Sequence, residues 1–392
     1  MNSKYKSLFI RQSYLDGYNI YEDSLKDKIA TWDYVILTAS NEEQAKGYRL
    51  QIYKRLAKGV LSPSTHYAVV PDPNGKRCGS GGATLAVLRY IAEQENTKDL
   101  SHLKILCIHS GGDSKRVPQY SACGKIFSPV PRILPDGRRS TLFDEFIIGM
   151  SGIPARMSSG LLVCSGDVLL IFNSLQLDFY GEGAAALSIK ENVDTGKNHG
   201  VFLGGADGCV KRCLQKQTVE TLTSCGAVDK KGNVDIDTGA VIFSGKMVNA
   251  LYSLVDDDTK YASLVNDHVR LSFYADFLYP LATESDLESF YNETPEGDFS
   301  PELNAAREQV WNALKDFRMK LVRFSPALFL YVNLTLFFPS VPESILLYFN
   351  FDVTSCPLAL IAIIFSRYFT SVPFSTYTTL SPTAIVLLAS FK

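Results

Sequence analysis

From Trp32 to Phe317 the chain alternates short apolar runs of strand length with stretches whose apolar residues recur every three or four positions. Continuous or period-two apolar runs fit strands, and a period near 3.6 fits helices. Trp32 to Thr38 (WDYVILT) reads as a strand, and Asn41-Glu42-Glu43-Gln44 supplies a capped start for a helix running to Lys58. Thr65 to Val70 is a second strand, stopped by the turn Pro71-Asp72-Pro73-Asn74-Gly75. Leu85 to Glu95 is helical, Ile105 to His109 is strand-like, Thr141 to Met150 is helical, and Gly160 to Cys164 is a buried strand. Ala184 to Ile189, His199 to Phe202 and Val210 to Gln215 give further short strands. Asp235-Ile236-Asp237-Thr238-Gly239 introduces another, Ala240 to Phe243. Helical patterns then cover Lys246 to Leu254, Tyr261 to Leu278 and Pro301 to Phe317. Strands alternating with helices predict an α/β fold with a largely parallel sheet.

The pattern changes at Asn333. From there to Lys392 the only charged residues are Glu343, Asp352, Arg367 and Lys392, and five prolines divide the stretch into short pieces. Its longest uncharged apolar run, Cys356 to Phe365, is about half the ~20 residues a spanning helix needs. A membrane anchor is therefore not expected. The division predicted is a domain over 1–332 and an aberrant hydrophobic tail over 333–392, of the kind a truncated or frameshifted gene product carries.

Composition adds exclusions. Of the 392 residues, 46 % are hydrophobic, enough for a large core, and 39 basic against 41 acidic residues leave no basic surface for nucleic acid. The eight cysteines are scattered without a paired C-x-x-C or Cys/His set, which reads as buried thiols in a reducing cytosol. Met1 to Asp16 lacks a signal-peptide core, so a cytoplasmic protein is expected.

Candidate chemistry centres on the strand Ile105–His109, which stops at Ser110-Gly111-Gly112 and is followed by Arg116 and, after a short polar loop, Gly124-Lys125. Paired glycines let successive backbone N–H groups face phosphate oxygens, while arginine and lysine supply a planar fork and a mobile charge. On spacing alone a phosphate loop and an ordinary Gly-Gly turn both remain open. No G-x-x-x-x-G-K-[ST] occurs, and Thr84 stands where the run Gly79, Gly81, Gly82 would need a glycine to be a dinucleotide fingerprint. That run could form an anion site at a helix N-terminus. Taken alone, tight packing of the helix on the sheet explains it as well. Asp167, just past the strand Gly160–Cys164, is placed to hold Mg²⁺ near phosphates, or simply to cap. His199, Lys216 and Asp276 are lone residues whose ordinary readings are structural, solvated and exposed in turn.

As a set, Gly79-Ser-Gly-Gly-Ala-Thr-Leu85, His109-Ser-Gly-Gly-Asp-Ser-Lys-Arg-Val-Pro118, Gly124-Lys-Ile-Phe-Ser-Pro-Val-Pro131, Ser165-Gly-Asp-Val168, His199-Gly-Val-Phe202 and Ala275-Asp-Phe-Leu278 resemble the GDP-fucose pyrophosphorylase (fucose-1-phosphate guanylyltransferase) family. The match is to the pyrophosphorylase portion of bifunctional fucokinase/GDP-fucose pyrophosphorylases and runs from about Trp32 to Val332. The resemblance implies a GT-A-like (Rossmann-like) nucleotidyltransferase domain that joins GTP and L-fucose 1-phosphate with Mg²⁺ and releases pyrophosphate. It assigns Arg116, Lys125 and Asp167 to catalysis, with Asp167 also the metal ligand. Gly79, Gly81, Gly82, Gly111, Gly112 and Asp113 fall to the nucleotide, and His199, Gly200, Lys216 and Asp237 to the sugar phosphate. Gln217 replaces the proline that usually follows the lysine matched by Lys216. The left-handed β-helix that normally follows in the family is expected to be absent, and so is the kinase domain. Another nucleotide or sugar 1-phosphate, or an inactive remnant that only binds nucleotide, are the alternatives.

Overall fold

A computed structural model describes residues 3–112 and 124–331. Asp113 and Arg116, and the tail expected over 333–392, fall outside these residues.

The central strands β1 (Tyr34–Ala39), β2 (His66–Pro71), β3 (Lys104–His109) and β6 (Gly160–Ser165) lie in the order β2-β1-β3-β6 and are all parallel. Between β3 and β6 the short strands β4 (Pro129–Ile133) and β5 (Arg139–Thr141) pair with each other. The apolar side chains of the inner strands β1, β3 and β6 are buried on both faces, as parallel strands between helical layers require. Helix α1 (Ser3–Ser24) precedes β1, α2 (Glu42–Leu56) joins β1 to β2, α3 (Gly79–Glu95) joins β2 to β3, and α4 (Leu142–Met150) precedes β6. Residues of α1, α2 and α4 share one apolar cluster with Leu37 and Ile108, while α3 packs on the other face with Ile36 and Cys107.

The other half of the sheet is antiparallel. It contains β8 (Ala184–Asn192), β9 (Gly200–Gly204), β10 (Val210–Gln215) and the long β11 (Asn233–Ser244). β8 runs along one edge of β11. The opposite edge is shared: β9 pairs with Asp235 and Ile236, and β6 with Ala240 to Ser244. Between the two partners β11 bulges, for Asp237 pairs with Ser188 and Ala240 with Leu187, leaving Thr238 and Gly239 as extra residues. Asp235–Gly239, expected to lead into a strand at Ala240, is therefore part of one continuous strand with a bulge in it. β12 (Met319–Phe324) lies parallel to β8, and β13 (Leu328–Tyr331) pairs with β7 (Val168–Ile171), the strand that follows Asp167. The short helices α5 (Val193–Gly196) and α6 (Val219–Ser224) border β9 and β10. The helices α7 (Gly245–Tyr252), α8 (Asp258–Leu264), α9 (Leu287–Tyr291) and α10 (Pro301–Leu314) follow β11.

Local signals place several elements as expected. Asn41 caps α2 by accepting from the Gln44 N–H, and Thr141 forms a reciprocal capping box with Asp144 at the start of α4. Two expectations fail. The helix predicted over Tyr261 to Leu278 breaks after α8: Asn266 Oδ1 accepts from the N–H groups of His268 and Val269, and Arg270 has φ +46°. The chain then crosses the start of α3, where Leu271 O accepts from Gly81 N at 2.7 Å, a contact a continuous helix could not make. Beyond it, Phe273–Phe277 form a single π-turn. Asp276, expected to be an exposed acid, is instead fully buried in an ion pair with the equally buried Arg307 of α10.

Candidate active site

Strand order reverses between β1, whose connection leads outward to β2, and β3, whose connection leads to β6. In open α/β sheets the crevice at such a reversal, beyond the carboxyl ends of the strands, is where ligands sit. Ser110-Gly111-Gly112 leaves β3 at this point. Thr38 Oγ1 accepts from the N–H groups of Ser110 (3.2 Å) and Gly111 (3.4 Å), and Ser110 Oγ donates to Thr38 O at 2.7 Å. From α2, Tyr48 Oη donates to Ser110 O (2.8 Å) and Gln44 Nε2 to Gly112 O (3.4 Å). A Cβ on Gly111 would stand 3.3 Å from the Ala39–Ser40 backbone, so glycine there permits the close approach of β1 and β3. At Gly112, φ +128°, a Cβ would meet no described residue within 4 Å.

Lys125 returns the chain to this crevice. Gly124 before it has φ +69°, and a Cβ would lie 1.8 Å from Tyr48 Oη. Gly124→Ala is expected to destabilise the fold by about 1–3 kcal/mol through overpacking. Gly137→Ala, with the same left-handed φ and nothing within 4 Å, is the control for backbone strain. Thermal unfolding of both proteins checks this, and equal losses would show that Tyr48 yields freely.

Lys125 Nζ reaches 3.9 Å from Asp167 Oδ2, both side chains being about one-fifth to one-quarter exposed. The Ser165 hydroxyl donates to Asp167 Oδ1 (2.7 Å), and Gly166 N–H continues the β3–β6 ladder by donating to His109 O (2.9 Å). A cation and a carboxylate from separate loops thus face each other beside the Gly111-Gly112 turn.

The assigned sugar-phosphate residues come together at the β11 bulge. Gly200, at the start of β9, lies against Asp237, whose Cβ would be 3.0 Å from a Cβ at Gly200. Lys216, at φ +47°, donates its N–H to His199 O at 3.1 Å. Burial and then the neighbouring Lys216 charge lower the His199 pKa, and the ring meets Phe329 of β13 edge-on at 5.4 Å. Asp237 Oδ1 accepts from Gly239 N–H (2.8 Å), and desolvation pushes its pKa up to about 6. Gly239 abuts Ser165 (2.8 Å from its would-be Cβ to Ser165 Cβ), which joins this group to Asp167.

The run Gly79, Gly81 and Gly82 forms the first turn of α3, earlier than the pattern at Leu85 indicated. Its glycines meet protein: Cβ atoms at Gly79 and Gly81 would lie 2.3 and 2.9 Å from Leu271 O, and one at Gly82 would lie 3.0 Å from Cys78 Cβ. Ser80 N–H is directed to Glu296 Oε2 (3.4 Å) and Gly81 N–H to Leu271 O. Close packing of α3 explains these three positions.

Sequence reading assigned no role to two residues that underlie the site. The His109 ring donates from Nε2 to Thr84 Oγ1 (2.9 Å), since the Thr84 hydroxyl itself donates to Ser80 O, while its buried Nδ1 has no partner among the described residues. Tyr274 meets the same ring edge-on, with centroids 6.2 Å apart, and donates its hydroxyl to Gly239 O at 3.1 Å. His109 carries no local sequence signal beyond its place in a motif, and Tyr274, just ahead of Ala275–Leu278, carries none.

Burial lowers the His109 pKa to about 4 from 6.5. Between these values the unfolded chain binds a proton that the folded chain does not, so this group withdraws stability as pH falls from about 6.5 to 4. Asp72 and Asp237, raised to about 6, act oppositely, since each is protonated in the fold before it would be in the unfolded chain. The histidine is therefore read by difference. His109→Gln is expected to be less stable than the parent at neutral pH, with the gap narrowing toward pH 4. Urea midpoints across that range test it, and a constant gap would contradict it.

Among the described residues no group of three or more His, Cys, Asp and Glu side chains is gathered in metal-site geometry. Asp167 offers one carboxylate at the crevice, and a magnesium ion characteristically takes one or two carboxylates plus water and substrate phosphate.

Residues 97–338 match the family model described as the fucose pyrophosphorylase domain. Among curated proteins, the chain is 30 % identical over 285 residues to a bifunctional fucokinase/GDP-fucose pyrophosphorylase of Arabidopsis thaliana, covering 64 % of this chain and 27 % of that protein. It is 29 % identical to a fucose-1-phosphate guanylyltransferase of Mus musculus, covering 77 % of this chain and 55 % of the relative. The Homo sapiens protein of the same name is 28 % identical, with 82 % and 55 % covered. The chain thus spans about a quarter to a half of the length of these relatives.

Proposed function

From the premise that this chain belongs to the fucose pyrophosphorylase family, we propose that it is a Mg²⁺-dependent nucleotidyltransferase that joins GTP and L-fucose 1-phosphate, giving GDP-L-fucose and pyrophosphate. The observation that carries this reading is the convergence of Gly111-Gly112, Lys125 and Asp167 at the β1/β3 crevice with Gly200, Lys216 and Asp237 at the adjoining bulge. The first group suits a triphosphate, and the second suits a sugar phosphate lying across β9 and β11. The gap between the ends of β6 and β9 is where their reacting atoms would meet.

A phosphate monoester is already a nucleophile, so the site needs no Ser/His or Cys/His dyad. Its oxygen attacks the α-phosphorus of GTP in line, the new P–O bond forms as the bond to the β-phosphate oxygen breaks, and pyrophosphate leaves with that electron pair. Lys125, and Arg116 by the family resemblance, neutralise charge developing on the transferring group. Lys216 and His199 orient the sugar phosphate, and Asp237 accepts from sugar hydroxyls. Asp167 would hold Mg²⁺, which supplies neutralisation of the phosphate oxygens.

A cytosolic location is part of this proposal. The six described cysteines are free thiols, three of them buried, and no described helix is long and apolar enough to cross a membrane. The test is pyrophosphate release by the purified full chain with Mg²⁺, offering GTP, UTP and ATP against L-fucose 1-phosphate and other sugar 1-phosphates. Turnover confined to GTP with fucose 1-phosphate supports the reading. A different productive pair changes the substrate, and no turnover by a folded protein refutes the activity.

A further inference from the structure

The π-turn Phe273–Phe277 lies beneath the site and has no part in the chemistry proposed above. Two pairs of contacts fix its ends. At its start, Ser272 Oγ caps by accepting from Ala275 N–H, and Phe273 N–H donates to Ser80 Oγ of α3 at 2.9 Å. Toward its end, Asp276 accepts from Ser272 N–H with one oxygen (2.6 Å) and from Arg307 Nε with the other (2.9 Å). Arg307 Nη1 in turn donates to the carbonyls of Phe290, Tyr291 and Glu293. A π-turn interrupts ordinary helical bonding and persists where its surroundings over-determine it, frequently at functional sites. Here the bracing aims one side chain. Tyr274 passes under the end of β6, against the His109 ring, and its hydroxyl takes the carbonyl of Gly239 in the β11 bulge.

That carbonyl belongs to the same residue whose N–H holds the Asp237 carboxylate. Gly239 is thus gripped from both sides, by Asp237 at its nitrogen and by Tyr274 at its oxygen. Its positive φ of +70°, and the 2.8 Å at which a Cβ here would meet Ser165 Cβ, reserve the position for glycine. We infer that Tyr274 is a positioning residue for the sugar-phosphate half of the site, holding the Asp237–Gly239 bulge so that Asp237 stays against Gly200 at the start of β9. The kinetic consequence rests on the function proposed above. The structural consequence does not.

The experiment uses Tyr274→Phe in the full chain, which removes one oxygen and keeps the ring against His109. Losing the donor leaves the part-buried Gly239 carbonyl without it, and the resulting freedom of the bulge is expected to raise KM for the sugar 1-phosphate about tenfold. KM for GTP should change less than about twofold, since the Gly111-Gly112 and Lys125 contacts are untouched. In parallel, hydrogen exchange followed by mass spectrometry is expected to show faster exchange in 237–240, with 104–109 unchanged. Equal effects on both substrates, or unaltered exchange in 237–240, would overturn the assignment. If the parent protein shows no turnover, the functional reading falls and the exchange result alone decides whether Tyr274 pins the bulge.

Discussion

On the function proposed above, Asp167→Asn is expected to lower pyrophosphate release from GTP and L-fucose 1-phosphate by about three orders of magnitude, with little change in thermal stability. The amide has the shape of the carboxylate, and its oxygen can still accept from the Ser165 hydroxyl, so the turn after β6 has no reason to move. What disappears is the negative charge. Lys125 then faces an amide instead of an anion, and the Mg²⁺ of the proposed function would lose its carboxylate ligand. Stability changes little because the Lys125–Asp167 pair is long and partly exposed, and such pairs contribute roughly 0–1 kcal/mol. Steady-state kinetics over a range of Mg²⁺ concentrations, with melting curves beside them, check both halves. A variant that retains most of its kcat would remove Asp167 from the mechanism.

The second large effect concerns stability. Arg307→Met is expected to destabilise the protein by about 3–5 kcal/mol, because it leaves the Asp276 carboxylate buried without its cation. Both partners are fully buried, and three carbonyls lose their shared donor as well. Burial already raises the Asp276 pKa, and Arg307 is the largest influence holding it down. Without the arginine the group would take up a proton, which sets an upper limit on the loss. Adding Asp276→Leu to Arg307→Met should recover part of the stability, since an apolar replacement of a whole buried pair is far cheaper than half of one. Denaturant midpoints of the single and double variants decide the matter. If the double variant is no better than the single, the burden lies in the three carbonyls and not in the stranded charge.

Arg307 also shows where sequence reading reached its limit. Positions 276 and 307 carry no pattern that announces a pair, and Asp276 looked like one more exposed acid in a helix. Sequence pattern predicts an element best when the element's own residues determine it. β1, β2, β3 and β6 were legible because parallel strands covered on both faces must be apolar almost without interruption. The starts of α2 and α4 were legible because Asn41 and Thr141 satisfy N–H groups a few residues away. The stretch from Asn266 to Phe277 keeps a helical pattern, yet the backbone at Arg270 and Leu271 is needed against Gly79 and Gly81, and that demand comes from another part of the chain. Helix α1 is encoded locally, for Ile10, Tyr18 and Tyr21 fall on one face and enter the core.

The site divides in the same way. Gly111, Gly112, Lys125 and Asp167 stand out by residue type next to strand ends, where an α/β sheet is expected to work. The grouping of His199, Gly200, Lys216 and Asp237 depends on which strands neighbour β11, and no local spacing encodes that. The run from Gly79 to Gly82 illustrates the converse difficulty. A glycine-rich helix start reads identically whether a phosphate or the Leu271 backbone comes close, and only the fold shows the Leu271 oxygen already there.

The bulge in β11 contains two extra residues, and the number is even. Val234 and Ile236 before it, and Ala240 and Ile242 after it, all enter the same core, while Val241 and Phe243 enter the other. Side chains of a strand alternate between faces, so a two-residue insertion preserves parity on both sides and a one-residue change would exchange the faces of everything beyond it. Lengthening or shortening the bulge by two residues could therefore move Asp237 relative to Asp167 while both cores stay intact. A single-residue deletion at Thr238 would turn Val241 and Phe243 into the wrong core and disrupt the fold before it altered the site. Length changes at the bulge that keep both cores in register therefore come in steps of two.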